Sequence, residues 1–127
     1  MATVLIVDDD KGIQFLMSEY LSAFGFQTIT AGSAAQARSR LKHSRCDFII
    51  SDFNMPGDSG LDLFRYVSRG YPDVPFILMT GAHDSRVKRE ALRMVVYKYL
   101  EKPFQFSELM KIISNHGMRS RRIAASA

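Results

Sequence analysis

At 127 residues the chain suits a single domain, and a chain of that length buries roughly two-thirds of its extended surface, so its core needs neither a disulfide nor a metal. With 46% hydrophobic and 24% charged residues it has an ordinary globular make-up, and no apolar run approaches the roughly 20 residues that cross a bilayer, which excludes a membrane span. The formal net charge is +4, but Arg119, Arg121 and Arg122 fall in the last nine residues, so the rest of the chain is nearly balanced and offers no basic groove for nucleic acid.

In chain order, Val4-Leu5-Ile6-Val7 is a short continuous apolar run, as in a strand buried on both faces. Nothing before it has the charged lead and long apolar core of a leader segment. Asp10 can cap a helix in which Ile13, Leu16, Met17, Tyr20, Leu21 and Phe24 recur at helical spacing, with Gly25 as the stop signal. Phe26 to Thr30 reads as a second strand. Ser33 and Gln36 have capping-box spacing, and Ala34, Ala37 and Leu41 face inward on the helix that follows. Cys46, the single cysteine, precedes a third strand, Phe48-Ile49-Ile50-Ser51; packing is its expected role, and an unpaired thiol suits a reducing, cytoplasmic compartment. Leu61, Phe64 and Val67 mark a third helix, and Pro75 introduces a fourth strand, Phe76 to Met79. A fourth helix is expected from Asp84 or Ser85, a fifth strand from Tyr97 to Leu100, and a fifth helix through Leu109, Ile112 and Ile113. The domain is expected to span 1–117, with 118–127 a basic, frayed tail or linker remnant.

Strands alternating with helices imply a parallel sheet covered on both faces. The expected arrangement is the flavodoxin-like (βα)5 three-layer sandwich with a five-stranded sheet in the order 2-1-3-4-5, an order carried over from known α/β folds rather than derived from spacing. In such sheets ligands sit beyond the carboxyl ends of the strands. Here the first strand ends in Asp8-Asp9-Asp10, the third in Asp52, the fourth in Thr80 and the fifth in Lys102-Pro103. Clustered carboxylates repel, so the group calls for a proton or a cation, and Mg²⁺ takes a few carboxylates and keeps several waters. Lys102 and Thr80 can meet phosphoryl oxygens, and an ionised Asp can attack phosphorus. His43, His83 and His116 have no metal-ligand spacing among themselves.

These segments, Val4 to Asp10, Ser51-Asp52-Phe53-Asn54-Met55-Pro56 through Gly60, Met79-Thr80-Gly81 and Lys102-Pro103-Phe104, resemble the ordered motifs of response-regulator receivers, over about residues 2 to 116. The resemblance implies that Asp52 accepts a phosphoryl group from a histidine of a sensor kinase or phosphotransfer protein. It implies Mg²⁺ ligation by Asp9, Asp52 and the backbone carbonyl of Asn54, with Asp8 acting through a metal-bound water. Thr80 and Lys102 would hold phosphoryl oxygens, and Tyr99 matches the aromatic switch position that follows Thr80. The Lys102–Pro103 bond would be cis. The output would go to a downstream protein target or effector domain, with possible dimerisation through the face made by the fourth helix, fifth strand and fifth helix.

Two other functions are compatible with parts of the pattern. A haloacid-dehalogenase-like phosphatase would use Asp8 as nucleophile and Asp10 as acid, but Gly12 stands where that family usually has Thr or Val, and the Asp52 motif goes unexplained. A receiver that only binds partners, without phosphorylation, would be expected to have lost site residues that this chain keeps. One departure from the family pattern is Met94-Val95-Val96, where receivers commonly carry Ala-Gly-Ala. Val95 adopts positive φ only with strain, so a fourth helix that ends irregularly or is shifted relative to other receivers is expected, with Val95, Val96 and Tyr97 forming an exposed apolar patch beside Tyr99.

Overall fold

Short apolar runs separated by capped helices become β1 (Thr3–Val7), α1 (Lys11–Ala23), β2 (Gln27–Ala31), α2 (Ala34–His43), β3 (Phe48–Asp52), α3 (Gly60–Gly70), β4 (Phe76–Gly81) and β5 (Lys98–Lys102), followed by a C-terminal helix over 106–115. The computed structural model describes residues 2–81 and 98–115. The expected fourth helix, His83, the Met94-Val95-Val96 departure, Tyr97, His116 and the 118–127 tail lie outside the described residues.

All four strand pairings are parallel, and the order is β2-β1-β3-β4-β5, as expected. Strand β3 is buried along its whole length and β4 up to Gly81, which is why they open on the continuous apolar runs Phe48 to Ile50 and Phe76 to Met79. The two-residue period of the strands divides their side chains between two cores. Leu5, Val7, Ile49 and Leu78 point to one face, where Ala34, Ala37 and Leu41 of α2 and Leu61, Leu63 and Val67 of α3 cover them. Val4, Ile6, Ile50, Ile77 and Met79 point to the other, under Met17 and Leu21 of α1 and Leu109 and Ile113 of the C-terminal helix. The molecule is thus three layers deep, and every strand delivers its carboxyl end to the same edge. No helix among the described residues is long and apolar enough to cross a membrane.

The helix ends follow local chemistry, with two departures from expectation. Asp10 caps α1, its side chain accepting from the N–H groups of Gly12 and Ile13, and Gly25 closes the helix at φ +91°. Ser33 caps α2 by accepting from Gln36 N–H, but the Gln36 side chain returns to Gly32 N–H (2.8 Å) rather than to Ser33, so only half the box forms. The complete box is at α3, where Ser59 and Asp62 bond reciprocally, Asp standing in for the Glu or Gln of the usual pattern. On α1, Leu16 and Phe24 share the apolar spacing but are 53% and 58% exposed.

Candidate functional site

The parallel register brings the strand-end residues together. Asp8, one residue past β1, is held by its N–H to the Ala31 carbonyl (3.0 Å) and by its Oδ1, which accepts from Asp10 N–H (2.9 Å). Asp52 is the last residue of β3 and Thr80 lies near the end of β4; Lys102 ends β5, in register with Gly81. Asp8, Asp52 and Thr80 are buried, Lys102 is half-buried and Asp9 is exposed. One carboxylate oxygen from each of Asp8, Asp9 and Asp52 falls within a 4.8 Å group. The Lys102 ammonium lies 3.1 Å from Asp52 Oδ1 and 3.8 Å from Asp8 Oδ2. The Lys102–Pro103 bond is cis, as expected.

Among the described residues, three carboxylates thus share one ammonium. Burial is the main cause that pushes the Asp52 carboxyl above the ordinary range; Lys102 draws it down and Asp9 adds to the rise. Burial likewise raises Asp8, opposed by the Asp10 N–H and reinforced by the nearby Asp52 charge. Two buried atoms, Asp8 Oδ2 and Thr80 Oγ1, have no hydrogen-bond partner among the described residues. Buried polar atoms are nearly always satisfied, so these two are where a further group could complete the site. The carboxylate oxygen asks for a cation and the hydroxyl for an acceptor. An oxygen-rich, acidic donor set of this kind fits a hard divalent ion.

The other sequence-derived residues lie around this centre. Asn54 is exposed on the loop directly after β3. Tyr99 on β5 pairs in register with Leu78 and packs, half-buried, against the core beneath α2 and α3. His43 is exposed on α2, its Nδ1 2.8 Å from the Ser39 carbonyl oxygen and remote in the fold from the strand-end cluster. Cys46 is buried, and burial raises its thiol, in keeping with packing.

Two contributors carry no motif chemistry. A Cβ on Gly60 would sit 2.5 Å from the Asp52 carbonyl oxygen and 2.9 Å from Leu78 Cδ1, so α3 can start against β3 only because residue 60 lacks a side chain. Gln14, in the first turns of α1, donates its side-chain amide to the carbonyls of Asp8 and Ala31; nothing in its sequence neighbourhood singles it out.

A family model described as the response regulator receiver domain matches residues 4–114. The chain belongs to that family. Over 119 residues it is 35% identical to response regulator protein FleR of Pseudomonas aeruginosa, covering 92% of this chain and 25% of that protein. Over 135 residues it is 31% identical to the C4-dicarboxylate transport transcriptional regulatory protein DctD of Rhizobium meliloti, covering 98% of this chain and 29% of that one. The receiver therefore spans well under a third of the length of these relatives. Among solved structures, a response regulator receiver domain protein of Clostridium thermocellum superposes with a TM-score of 0.87 at 27% identity, covering 97% of this chain and 99% of that one. Response regulator TrrA of Thermotoga maritima, solved in complex with Mg²⁺ and BeF, gives a TM-score of 0.81 at 29% identity over 91% and 98% of the two chains. The chain is accordingly a receiver of the two-component type, a signalling phosphoacceptor domain rather than an enzyme in the ordinary sense. The phosphatase alternative built on Asp8 falls with that assignment.

Proposed function

We propose that Asp52 is the phosphoryl acceptor of this receiver, taking the group from a histidine of a sensor kinase or phosphotransfer protein. The observation that carries the reading is the placement of a buried carboxylate 3.1 Å from the Lys102 ammonium and beside a second and a third acid at one sheet edge. In this reading Asp9, Asp52 and the Asn54 backbone carbonyl hold Mg²⁺, with Asp8 reaching it through a water. When bound, that ion neutralises charge and aligns phosphoryl oxygens.

The chain's own groups do the rest. An Asp52 carboxylate oxygen forms the new bond to phosphorus as the bond to the donor nitrogen breaks, and the nitrogen keeps the electron pair. Lys102 balances the charge on Asp52 before transfer and on the phosphoryl oxygens after it. The Thr80 hydroxyl, without a hydrogen-bond partner among the described residues, donates to a phosphoryl oxygen, and Tyr99 moves inward as Thr80 shifts, changing the face that includes β5 and the C-terminal helix. That face would engage a downstream protein target, an effector domain or a second copy. A cytoplasmic setting, without nucleic acid or membrane bound by this chain itself, goes with the reading, as does self-labelling from small phosphodonors and self-dephosphorylation.

Mass spectrometry after incubation with acetyl phosphate and Mg²⁺ tests it. One phosphoryl group should be added to the parent and none to Asp52→Asn. Undiminished labelling of Asp52→Asn would overturn the assignment, and a parent that binds Mg²⁺ but takes no phosphoryl group from acetyl phosphate or a cognate kinase would favour the receiver that acts by partner binding alone.

A further inference from the structure

The turn that presents Asp8 and Asp9 is fixed at three points. Asp8 N–H donates to the Ala31 carbonyl at 3.0 Å, Asp8 Oδ1 accepts from Asp10 N–H at 2.9 Å, and the Asp8 carbonyl accepts from Gln14 Nε2 at 2.5 Å. The same Nε2 lies 3.3 Å from the Ala31 carbonyl. Both partners are carbonyl oxygens, which only accept, so the atom facing them is the amide nitrogen, and its two N–H groups suffice for both. The ladder between β1 and β2 ends at Val7 and Ala31. Past that point the Asp8 carbonyl has no strand partner, and Gln14 supplies one from the adjoining helix.

We infer that Gln14 is a positioning residue of the acidic site: its side-chain amide ties the Asp8 carbonyl to the end of β2 and thereby holds Asp8 and Asp9 in the geometry that receives the divalent ion. Gln14 touches neither ion nor phosphoryl group. It acts through the backbone of Asp8, whose Oδ2 has no hydrogen-bond partner among the described residues and lies 3.8 Å from the Lys102 ammonium. Groups that orient metal ligands from behind typically change metal affinity by about 10–100-fold when removed, and an effect routed through backbone belongs at the low end. The inference rests on the proposed Mg²⁺ site.

The test is isothermal titration calorimetry of Mg²⁺ into the parent chain and into Gln14→Met, which keeps the side chain's length and removes its donors, with melting in EDTA recorded for both. Gln14→Met should bind Mg²⁺ about tenfold more weakly. Its labelling by acetyl phosphate should slow at low Mg²⁺ and recover at saturating Mg²⁺, which a general loss of fold would not produce. Equal Mg²⁺ affinity in parent and Gln14→Met overturns this inference alone. A parent that binds no Mg²⁺ overturns the site reading and this inference with it. If Gln14→Met does not fold, Gln14→Lys, which retains a donor of similar reach, carries the test through amide hydrogen exchange. Protection of the Asp10 N–H at the parent's level supports the tie, and an unprotected Asp10 N–H in folded Gln14→Lys overturns it.

Discussion

Asp62 and the pair Asp8 and Asp52 are the same side chain in opposite circumstances. Asp62, half-exposed at the start of α3, accepts from the Ser59 N–H (3.0 Å) and hydroxyl (3.1 Å) and faces Arg65 (3.0 Å). The Ser59 backbone N–H is the main cause that holds its carboxyl below the ordinary range, helped by the Ser59 hydroxyl and Arg65. Asp8 and Asp52 are buried, crowd one another and share Lys102, and burial pushes both up. The cap acid is answered by its own helix and stabilises it. The site acids are incompletely answered within the described chain, so they weaken the fold locally and leave carboxylate oxygens that could take a cation. In the proposed reading, folding stability is given up at the place where binding is gained.

Gly60 joins the two regions, because the turn that carries Asp62 rests its backbone on the Asp52 carbonyl. Adding a Cβ there forces backbone to move, and Gly60→Ala should destabilise by about 1–3 kcal/mol in urea denaturation, with slower labelling of Asp52. At the other end of α3 a Cβ on Gly70 meets nothing within 4 Å, so Gly70→Ala should be neutral or stabilising by up to about 1 kcal/mol. Equal losses at both ends would show that the contact with Asp52 is of no consequence.

A smaller effect of opposite sign is expected at Asp8. In EDTA, Asp8→Asn should raise stability by about 1 kcal/mol, since Asn keeps an acceptor for Asp10 N–H and removes a charge. The folded-state values of Asp8 and Asp52 lie above the ordinary 3.8, so below neutral pH the folded chain holds protons that the unfolded chain releases. The parent's deficit relative to Asp8→Asn should therefore shrink as pH falls through the folded-state value and vanish near 3.8. Millimolar Mg²⁺ should raise the parent's Tm by mass action and raise that of Asp8→Asn less. A deficit that widens on acidification would remove the distinction between the two kinds of acid.

The smallest expected effect is at the cap. Asp62→Ala should lose about 0.5–1 kcal/mol at neutral pH. Because the folded-state value of Asp62 is lowered, its contribution is present above 3.8 and lost as pH falls through that lower value. Thermal melts of parent and variant should thus converge in acid, as they do for Asp8→Asn, but here the parent loses an advantage, whereas at Asp8 it loses a deficit.

Much of this molecule is legible in its sequence, for a local reason. Continuous apolar runs such as Val4 to Val7 and Phe76 to Met79 carry their burial on both faces in their composition; Asp8, Asp9, Asp52 and Thr80 each follow or end such a run and Lys102 ends the more polar β5, so the edge that gathers them follows from parallel topology. What the tertiary structure decided is which of several available neighbours each side chain meets. Helical spacing aligns Leu16 and Phe24 with Met17 and Leu21, but the width of the stripe that α1 buries depends on what the neighbouring elements cover, and only Met17 and Leu21 are fully enclosed. Ser33 and Gln36 have the spacing of a capping box, yet Gly32 N–H, placed by the end of β2, takes the Gln36 side chain. Gln14 looks ordinary in sequence, and the motif that includes Gly60 does not say what Gly60 meets, because their partners, the carbonyls of Asp8, Ala31 and Asp52, are backbone atoms that every residue possesses. Only packing determines which of those identical groups a side chain will meet.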